Sequence, residues 1–178
     1  MAPSKRVKKA RKDARKDLAA AHQLAEWYRL GEEGLSRDLS LWLRWETEAA
    51  ERGWADAQYN LGVAFDNGEM GVEVNLVVST EWYQKAALQG HVQSAYNLGA
   101  SFERGDGVEV NFASAAQWYG QAALRGDVGA MVCLARIYIK ELPGVEQDYH
   151  RAAQLLREAI EHGSVEALWG MAAILSQE

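Results

Sequence analysis

The sequence predicts an all-α fold, a solenoid of four antiparallel helix pairs closed by a C-terminal capping helix. The first observation is a nine-residue pattern that returns after 36 residues, as WYQKAALQG from Trp82 and WYGQAALRG from Trp118. The second is a leucine-like position that recurs at intervals of 37, 37, 36 and 37 residues. Its members are Leu24, Leu61, Leu98, Leu134 and Met171. A period of this length is typical of stacked helical hairpins.

Length and composition fit this interpretation. The chain has 178 residues, which is the size of one compact domain, and 48% of them are hydrophobic. Charge is unevenly placed: residues 1–17 hold eight basic and two acidic residues, whereas the rest of the chain is acidic. We expect residues 1–16 to form a basic N-terminal segment that is frayed or extends the first helix. The solenoid then covers residues 17–178.

Apolar periodicity and glycine stops predict the elements in order. The expected repeats cover about residues 18–53, 54–90, 91–126 and 127–163, with a capping helix at 164–178. Within the repeats, the expected helix pairs are 18–30 with 38–52, 55–67 with 75–89, 92–104 with 111–125, and 128–140 with 147–162. The second helices open at N-cap candidates, namely Asp38, Asn75, Asn111 and either Gln147 or Asp148. They end at glycines expected to adopt left-handed conformations, namely Gly53, Gly90, Gly126 and Gly163.

A small residue follows the leucine-like position in each repeat, as at Gly62 and Gly99. Because glycine inside a helix costs about 1 kcal/mol relative to alanine, its recurrence predicts close packing of the two helices of a pair. The tryptophans that lead the second helices, Trp45, Trp82 and Trp118, are expected in the core. Trp42 and Trp54 are less constrained, and we expect them to be partly exposed, with a dimer contact as one explanation.

No catalytic or cofactor arrangement emerges from the sequence. The four histidines are far apart, so no metal site is predicted, and we expect neither a cofactor nor an enzyme. The single cysteine, Cys133, lies in the apolar run AMVCLARIY, which favours a buried thiol over a nucleophile. The glycines of RGDGVEV lack the GK[ST] signature of a phosphate loop and indicate a turn.

The sequence also bears on location and assembly. No stretch approaches the roughly 20 apolar residues that span a bilayer. The basic start continues into RKDARKDLAAAHQ without the apolar segment of a secretory signal. We therefore expect a cytoplasmic protein without a membrane span, present as a monomer or weak dimer.

The repeated residues resemble the SEL-like repeat family, which is related to the tetratricopeptide solenoids. The resemblance rests on AQYNLGVAFDNGEMGVEVN with STEWYQKAALQG, and on SAYNLGASFERGDGVEVN with SAAQWYGQAALRG. It covers about residues 18–178 and is looser in the first and fourth repeats, where Leu35 replaces a valine and Leu155-Leu156 replace Trp-Tyr. It implies a right-handed superhelix and an adaptor that binds proteins or peptides. A regulator or immunity-type protein that sequesters a cognate partner is one version.

In such superhelices the first helix of each pair lines the concave groove. Counting from the leucine-like position, the residues expected to point into it are His22, Glu26, Arg29, Tyr59, Val63, Asp66, Asn67, Tyr96, Glu103, Arg104, Val132, Arg136, Lys140 and Trp169. Our hypothesis is that Tyr59, Tyr96 and Trp169 anchor a partner segment, because aromatic residues dominate many interfaces. Arg104, Arg136 and Lys140 then pair with its acidic groups. The alternative interpretation is a solvated face with ordinary charges.

The basic segment gives an alternative function. It could bind nucleic acid, an acidic protein or an anionic membrane surface. A nucleic-acid-associated adaptor is thus the function that competes with the protein-binding scaffold. The other interpretation of the segment is a solubilising tail. The segment contains no aromatic residue on which bases would stack.

Overall fold

The computed structural model describes residues 4–175, and within this range the chain is helical with no strand. One isolated bridge joins Leu142 and Val145 in a turn. The helices are α1 (Lys5–Asp13), α2 (Leu18–Leu30), α3 (Leu39–Glu51), α4 (Ala55–Asn67), α5 (Leu76–Leu88), α6 (Val92–Arg104), α7 (Phe112–Ala123), α8 (Val128–Ile139), α9 (Tyr149–Glu161) and α10 (Val165–Leu175). The all-α prediction and the predicted helix positions are confirmed. The predicted capping helix ran to residue 178, and its final three residues lie outside the described range.

The chain divides into two compact units, one up to His91 and one from Val92 onward. The length of the chain had predicted one compact domain. The division falls at a repeat boundary, since helices of a repeat array contact mainly their neighbours along the chain. Unit 1 contains α1 and the pairs α2–α3 and α4–α5. Unit 2 contains the pairs α6–α7 and α8–α9, followed by α10.

In unit 1, the basic N-terminal segment forms a helix of its own, which corrects the expectation of a frayed segment or an extension of the first repeat helix. Asp17 caps the start of α2 with its side chain and so separates α1 from α2. Val7, Ala10 and Ala14 are buried. Their spacing of three and four residues forms one narrow apolar stripe, while the lysine side chains between them point to solvent. Residues 1–3 lie outside the described range.

The two helices of every pair are joined in the same way. The N-cap residue of the second helix donates its backbone N–H to the carbonyl of the aromatic residue near the end of the first helix. These bonds run from Asp38 to Tyr28, Asn75 to Phe65, Asn111 to Phe102 and Asp148 to Tyr138, at 2.8–2.9 Å. Each N-cap side chain also accepts a bond from the first turn of its helix. The start of the second helix therefore lies beside the end of the first helix, and the two helices are antiparallel.

Glycines end the second helices as the sequence predicted. Gly53, Gly90, Gly126 and Gly163 have φ values of 95°, 89°, 87° and 86°. At Gly53, Gly126 and Gly163 a Cβ would meet no atom within 4 Å. Their requirement for glycine is therefore purely conformational.

The close packing predicted at the small positions is confirmed, but the aromatic residue involved is tyrosine. A Cβ at Gly62 would lie 2.5 Å from the ring of Tyr83, and one at Gly99 would lie 2.8 Å from the ring of Tyr119. Both tyrosines are buried, whereas the tryptophans before them, like Trp45, are only half-buried. Successive side chains of a helix point about 100° apart around its axis, so the tryptophan before each tyrosine lies at the edge of the packed face.

Trp42 reverses another expectation. It was expected to be partly exposed, yet it is 2% exposed within unit 1. It lies on α3 between Leu41 and Leu43, on the side that packs into the core with Ala49 and Ala50. Trp54 is half-buried.

Candidate partner-binding surfaces

A cavity of about 270 Å³ in unit 1 brings together four of the predicted contact residues. These are Glu26, Arg29, Tyr59 and Val63. The glutamate and the arginine lie one turn apart on α2 and form an ion pair, in which Arg29 Nε donates to both carboxylate oxygens at 3.0 Å. Because Glu26 and Arg29 neutralise each other, a partner would gain little by pairing with either alone. Glu69 is a further acidic lining residue of this cavity.

His22 belongs to a different cluster in unit 1. Its Nδ1 lies 3.1 Å from both carboxylate oxygens of Glu46, and Asn60 Nδ2 donates to the same carboxylate at 2.6 Å. Glu46 has no solvent exposure. The hydrogen bond with Glu46 raises the pKa of His22 above its ordinary value. His22 therefore satisfies a buried carboxylate and is not freely available to a partner.

Tyr59 packs against other aromatic rings of unit 1. Its ring stacks on His91, with 4.7 Å between centroids, and lies 6.2 Å from the ring of Tyr83. Asp66 accepts a long hydrogen bond from the Tyr83 hydroxyl at 3.5 Å, and Asn67 is exposed at the end of α4. These contacts give Tyr59 a structural role in unit 1 alongside any contact with a partner.

In unit 2, a polar cluster surrounds the lone cysteine. The thiol of Cys133 lies 4.0 Å from the Tyr96 hydroxyl and 3.9 Å from Arg136 Nη2. The same guanidinium nitrogen donates to both oxygens of Glu103, at 2.8 and 2.9 Å, and Tyr119 donates to that carboxylate at 2.9 Å. Burial raises the pKa of the Cys133 thiol, so it stays protonated near neutral pH. The expected buried thiol is confirmed.

A cleft of about 260 Å³ in unit 2 collects four further predicted residues. They are Val132, Arg136, Lys140 and Trp169. Ile139, Leu156, Gly170 and Ala173 supply apolar walls, and Glu166 is its one acidic lining residue. Trp169 is 76% exposed, the most solvent-accessible aromatic side chain of the predicted set. The cleft thus combines an apolar floor, an exposed indole and two basic groups.

The other predicted residues lie outside both cavities. His22, Asp66 and Asn67 lie elsewhere in unit 1, and Tyr96 and Glu103 belong to the cysteine cluster of unit 2. Arg104 pairs with Asp106 in the turn after α6. The prediction of one groove lined by all of these residues stays a prediction.

Sequence reasoning missed two members of these surfaces. Glu46 follows Trp45, so it occupies the position of Tyr83 and Tyr119 in the repeat, and this departure was the available signal. Met70 lines the unit 1 cavity from the turn after α4 with a φ of 57°, and no feature of its turn sequence indicates that contact.

Two kinds of site are absent from residues 4–175. No group of three or more His, Cys, Asp or Glu side chains is arranged to hold a metal ion. No helix in the same range is long and apolar enough to cross a membrane.

Comparisons with known proteins agree with the fold. A model of the Sel1 repeat matches residues 18–54, 55–91, 92–127 and 130–164. The crystal structure of c5321, a protective antigen of uropathogenic Escherichia coli strains with an SLR fold, is 33% identical, with a TM-score of 0.81 over 90% of this chain and 34% of its own. A Sel1 repeat protein from Oxalobacter formigenes is 35% identical, with a TM-score of 0.81 over 87% of this chain and 63% of its own.

A more distant structure shares the fold alone: Helicobacter pylori cysteine rich protein B is 23% identical, with a TM-score of 0.54 over 70% of this chain and 91% of its own. No curated protein sequence matches the chain. The chain spans about a third of the E. coli antigen and less than two thirds of the O. formigenes protein. Sel1 repeat proteins are generally scaffolds for protein–protein interaction rather than enzymes. With four matched repeats and the helix pairs described above, the chain belongs to the Sel1 repeat family.

Proposed function

We propose that the chain is a non-catalytic module that binds a segment of a protein partner in the cleft of unit 2. The observation that carries this proposal is the exposed Trp169 beside an apolar cleft with Arg136 and Lys140 at its edge. An exposed indole next to an apolar pocket is a common arrangement at interaction hot spots. Within the described residues Lys140 has no ion pair, so its charge is available to an acidic group of the partner.

The chemistry of the cleft defines the partner segment. An apolar side chain fits between Val132, Leu156 and Gly170, and a carboxylate one or two residues away reaches Lys140. Arg136 is already held by Glu103 at 2.8 Å, so it supports the positive potential more than it offers a free partner. A segment with a large apolar residue next to an aspartate or glutamate meets both requirements.

The test is selection from a phage-displayed library of random 12-residue peptides, followed by affinity measurement with fluorescein-labelled winners. We expect enrichment of apolar residues adjacent to acidic ones. Trp169→Ala and Lys140→Glu should each weaken binding about tenfold or more, as is common when a hot-spot group is removed. Arg157→Glu is the matched control, because this base is exposed on α9 and does not line the cleft. Equal binding by all three variants would refute the assignment.

A finer version of the proposal concerns what binding achieves. The module would sequester a cognate protein in the cytoplasm, as a regulator or immunity-type protein does, and act as a monomer or weak dimer. A lone buried thiol such as Cys133 is compatible with a reducing compartment. Co-expression with the captured partner should suppress the partner's activity, and Trp169→Ala should restore it. Light scattering of the purified chain measures the oligomeric state.

A second candidate function rests on α1. This helix is held in place by Val7, Ala10 and an ion pair between Arg6 and Glu33 at 3.2 Å, so its bases form a fixed surface. The exposed bases of α1 and of the turn after it are Lys5, Arg6, Lys8, Lys9, Arg11, Lys12, Arg15 and Lys16. Such a surface supports a nucleic-acid-associated adaptor. Binding to a labelled duplex should fall steeply with salt and should be lost in Lys8→Glu/Lys9→Glu/Lys12→Glu. Salt-independent or absent binding would reject this candidate.

A further inference from the structure

The last described helix, α10, exposes an apolar face that no described helix covers. Leu168, Ala172 and Leu175 are exposed on it, and we call these three residues the open face of α10. The exposed fractions of Leu168 and Leu175 are 53% and 62%. α10 packs against α8 and α9, and its Gly170 lies against Leu156. Its only charged residue is Glu166. The open face is therefore almost purely apolar.

The four repeats show what normally covers this face. The positions equivalent to Leu168 are buried in every repeat, and they are Ala21, Gln58, Ala95 and Met131. The positions equivalent to Ala172 are buried as well, and they are Ala25, Gly62, Gly99 and Ala135. In each repeat the second helix of the pair packs against the first. Tyr83 and Tyr119 of these second helices lie directly over Gly62 and Gly99. The open face of α10 is thus the continuation of an interface that the chain forms four times.

We propose that the open face of α10 binds an amphipathic helix of a protein partner, in the position that the second helix takes in each repeat. The apolar character of the face requires an apolar stripe on the partner helix, and the absence of charge on it leaves no electrostatic barrier. This surface is distinct from the cleft of unit 2, which lies on the side of α10 that faces α8.

The repeats also define the residue that the partner helix must place over Ala172. Tyrosine occurs only where the first helix has glycine, as in Gly62 with Tyr83 and Gly99 with Tyr119, because a Cβ would lie 2.5–2.8 Å from the ring. Where the first helix has alanine, the second helix has Leu156 or Glu46 instead. Since position 172 is alanine, the partner helix should present leucine there, and tyrosine should be rejected.

The chain itself supplies a probe with this chemistry. A synthetic peptide of residues 147–163, QDYHRAAQLLREAIEHG, carries Leu156 and forms the second helix opposite Ala135 in unit 2. We suggest titrating it into the ¹⁵N-labelled full chain and following the amide signals of Leu168, Ala172 and Leu175. Binding should be in the millimolar to high micromolar range, because an isolated peptide of this length is only marginally helical.

The peptide with Leu156→Tyr should bind about tenfold more weakly, which corresponds to overpacking by about 1.4 kcal/mol. The chain variant Ala172→Gly should remove that difference. Leu168→Glu should abolish binding of both peptides, and circular dichroism should show an unchanged fold, because Leu168 is exposed.

Three outcomes overturn the proposal. One is the absence of shifts at the open face up to millimolar peptide, and another is equal affinity of both peptides for the wild-type chain. The third is a concentration dependence of these amide signals without peptide, which would identify a second copy of the chain as the occupant. None of them affects the cleft of unit 2, where Trp169→Ala and Lys140→Glu give an independent readout.

Discussion

Gly62→Ala tests the packing rule of the helix pairs, which is that a buried tyrosine on the second helix requires glycine opposite it on the first helix. The added Cβ would lie 2.5 Å from Cδ1 and Cε1 of Tyr83, whose side chain is 1% exposed. Ordinary contacts are near 3.5–4.0 Å, so the ring must move by about 1 Å in a filled core. Overpacking of this kind costs about 1–3 kcal/mol, and alanine returns about 1 kcal/mol through its better helix propensity. We expect a net loss of up to about 2 kcal/mol in the free energy of unfolding.

Gly120→Ala is the matched control. Gly120 also lies inside a helix, but the nearest atom to its added Cβ is Leu134 Cδ2 at 3.8 Å. This variant should gain up to about 1 kcal/mol, because the helix-propensity gain meets no steric cost. Urea denaturation followed by circular dichroism measures both changes.

A rescue variant makes the reasoning sharper. Repeat 4 carries Ala135 with Leu156, so Gly62→Ala/Tyr83→Leu reproduces a pair that the chain already uses. Tyr83→Leu should be less destabilising in the Gly62→Ala background than in the wild type, with a coupling free energy of at least about 1 kcal/mol. If Gly62→Ala stabilises the chain as much as Gly120→Ala, or if the coupling is zero, the packing rule is wrong.

Three further predictions concern single residues. The hydrogen bond with Glu46 raises the pKa of His22 in the folded chain. The stability that this bond contributes is therefore present below the unfolded-state pKa of about 6.5, and it is lost as the pH rises through the folded-state pKa. His22→Gln should therefore lose about 1–3 kcal/mol of unfolding free energy near pH 5.5 and less near pH 9, and an equal loss at both pH values would contradict the pairing. Gly126→Ala should cost about 1–2 kcal/mol in urea denaturation because φ is 87°, whereas no change would mean that the backbone relaxes freely. Cys133 should react with a thiol reagent only slowly until denaturant unfolds unit 2, since the thiol is buried and protonated, and rapid labelling of the native chain would exclude this.

The sequence allowed most of the helical framework to be predicted because its signals are local. N-cap residues such as Asn75, left-handed glycines such as Gly90, and the leucine period each act within a few residues of their own position. Gly62 and Gly99 were correctly interpreted as positions of close approach. The sequence did not identify the tyrosines that pack on them, because the choice between Trp82 and Tyr83 depends on the rotation of α5 against α4.

The remaining errors have the same origin in tertiary packing. α1 was not predicted as a docked helix, because three small apolar residues among many bases give a weak local signal, although Val7 is fully buried. Glu46 was not expected to be buried, since its stability depends on His22 and Asn60 from two other helices. Most of the predicted contact residues lie on the first helices of the pairs. Sequence spacing alone did not reveal that eight of them divide between two cavities and that six lie elsewhere.

Hydrogen exchange of the full chain with and without a selected peptide tests the central claim most directly. A protein-binding module that uses the cleft of unit 2 should gain protection in α8 and α10 when the peptide is added, and the gain should disappear in Trp169→Ala. Protection confined to α1, or unchanged exchange in α8 and α10 at a saturating concentration of peptide, would contradict the account.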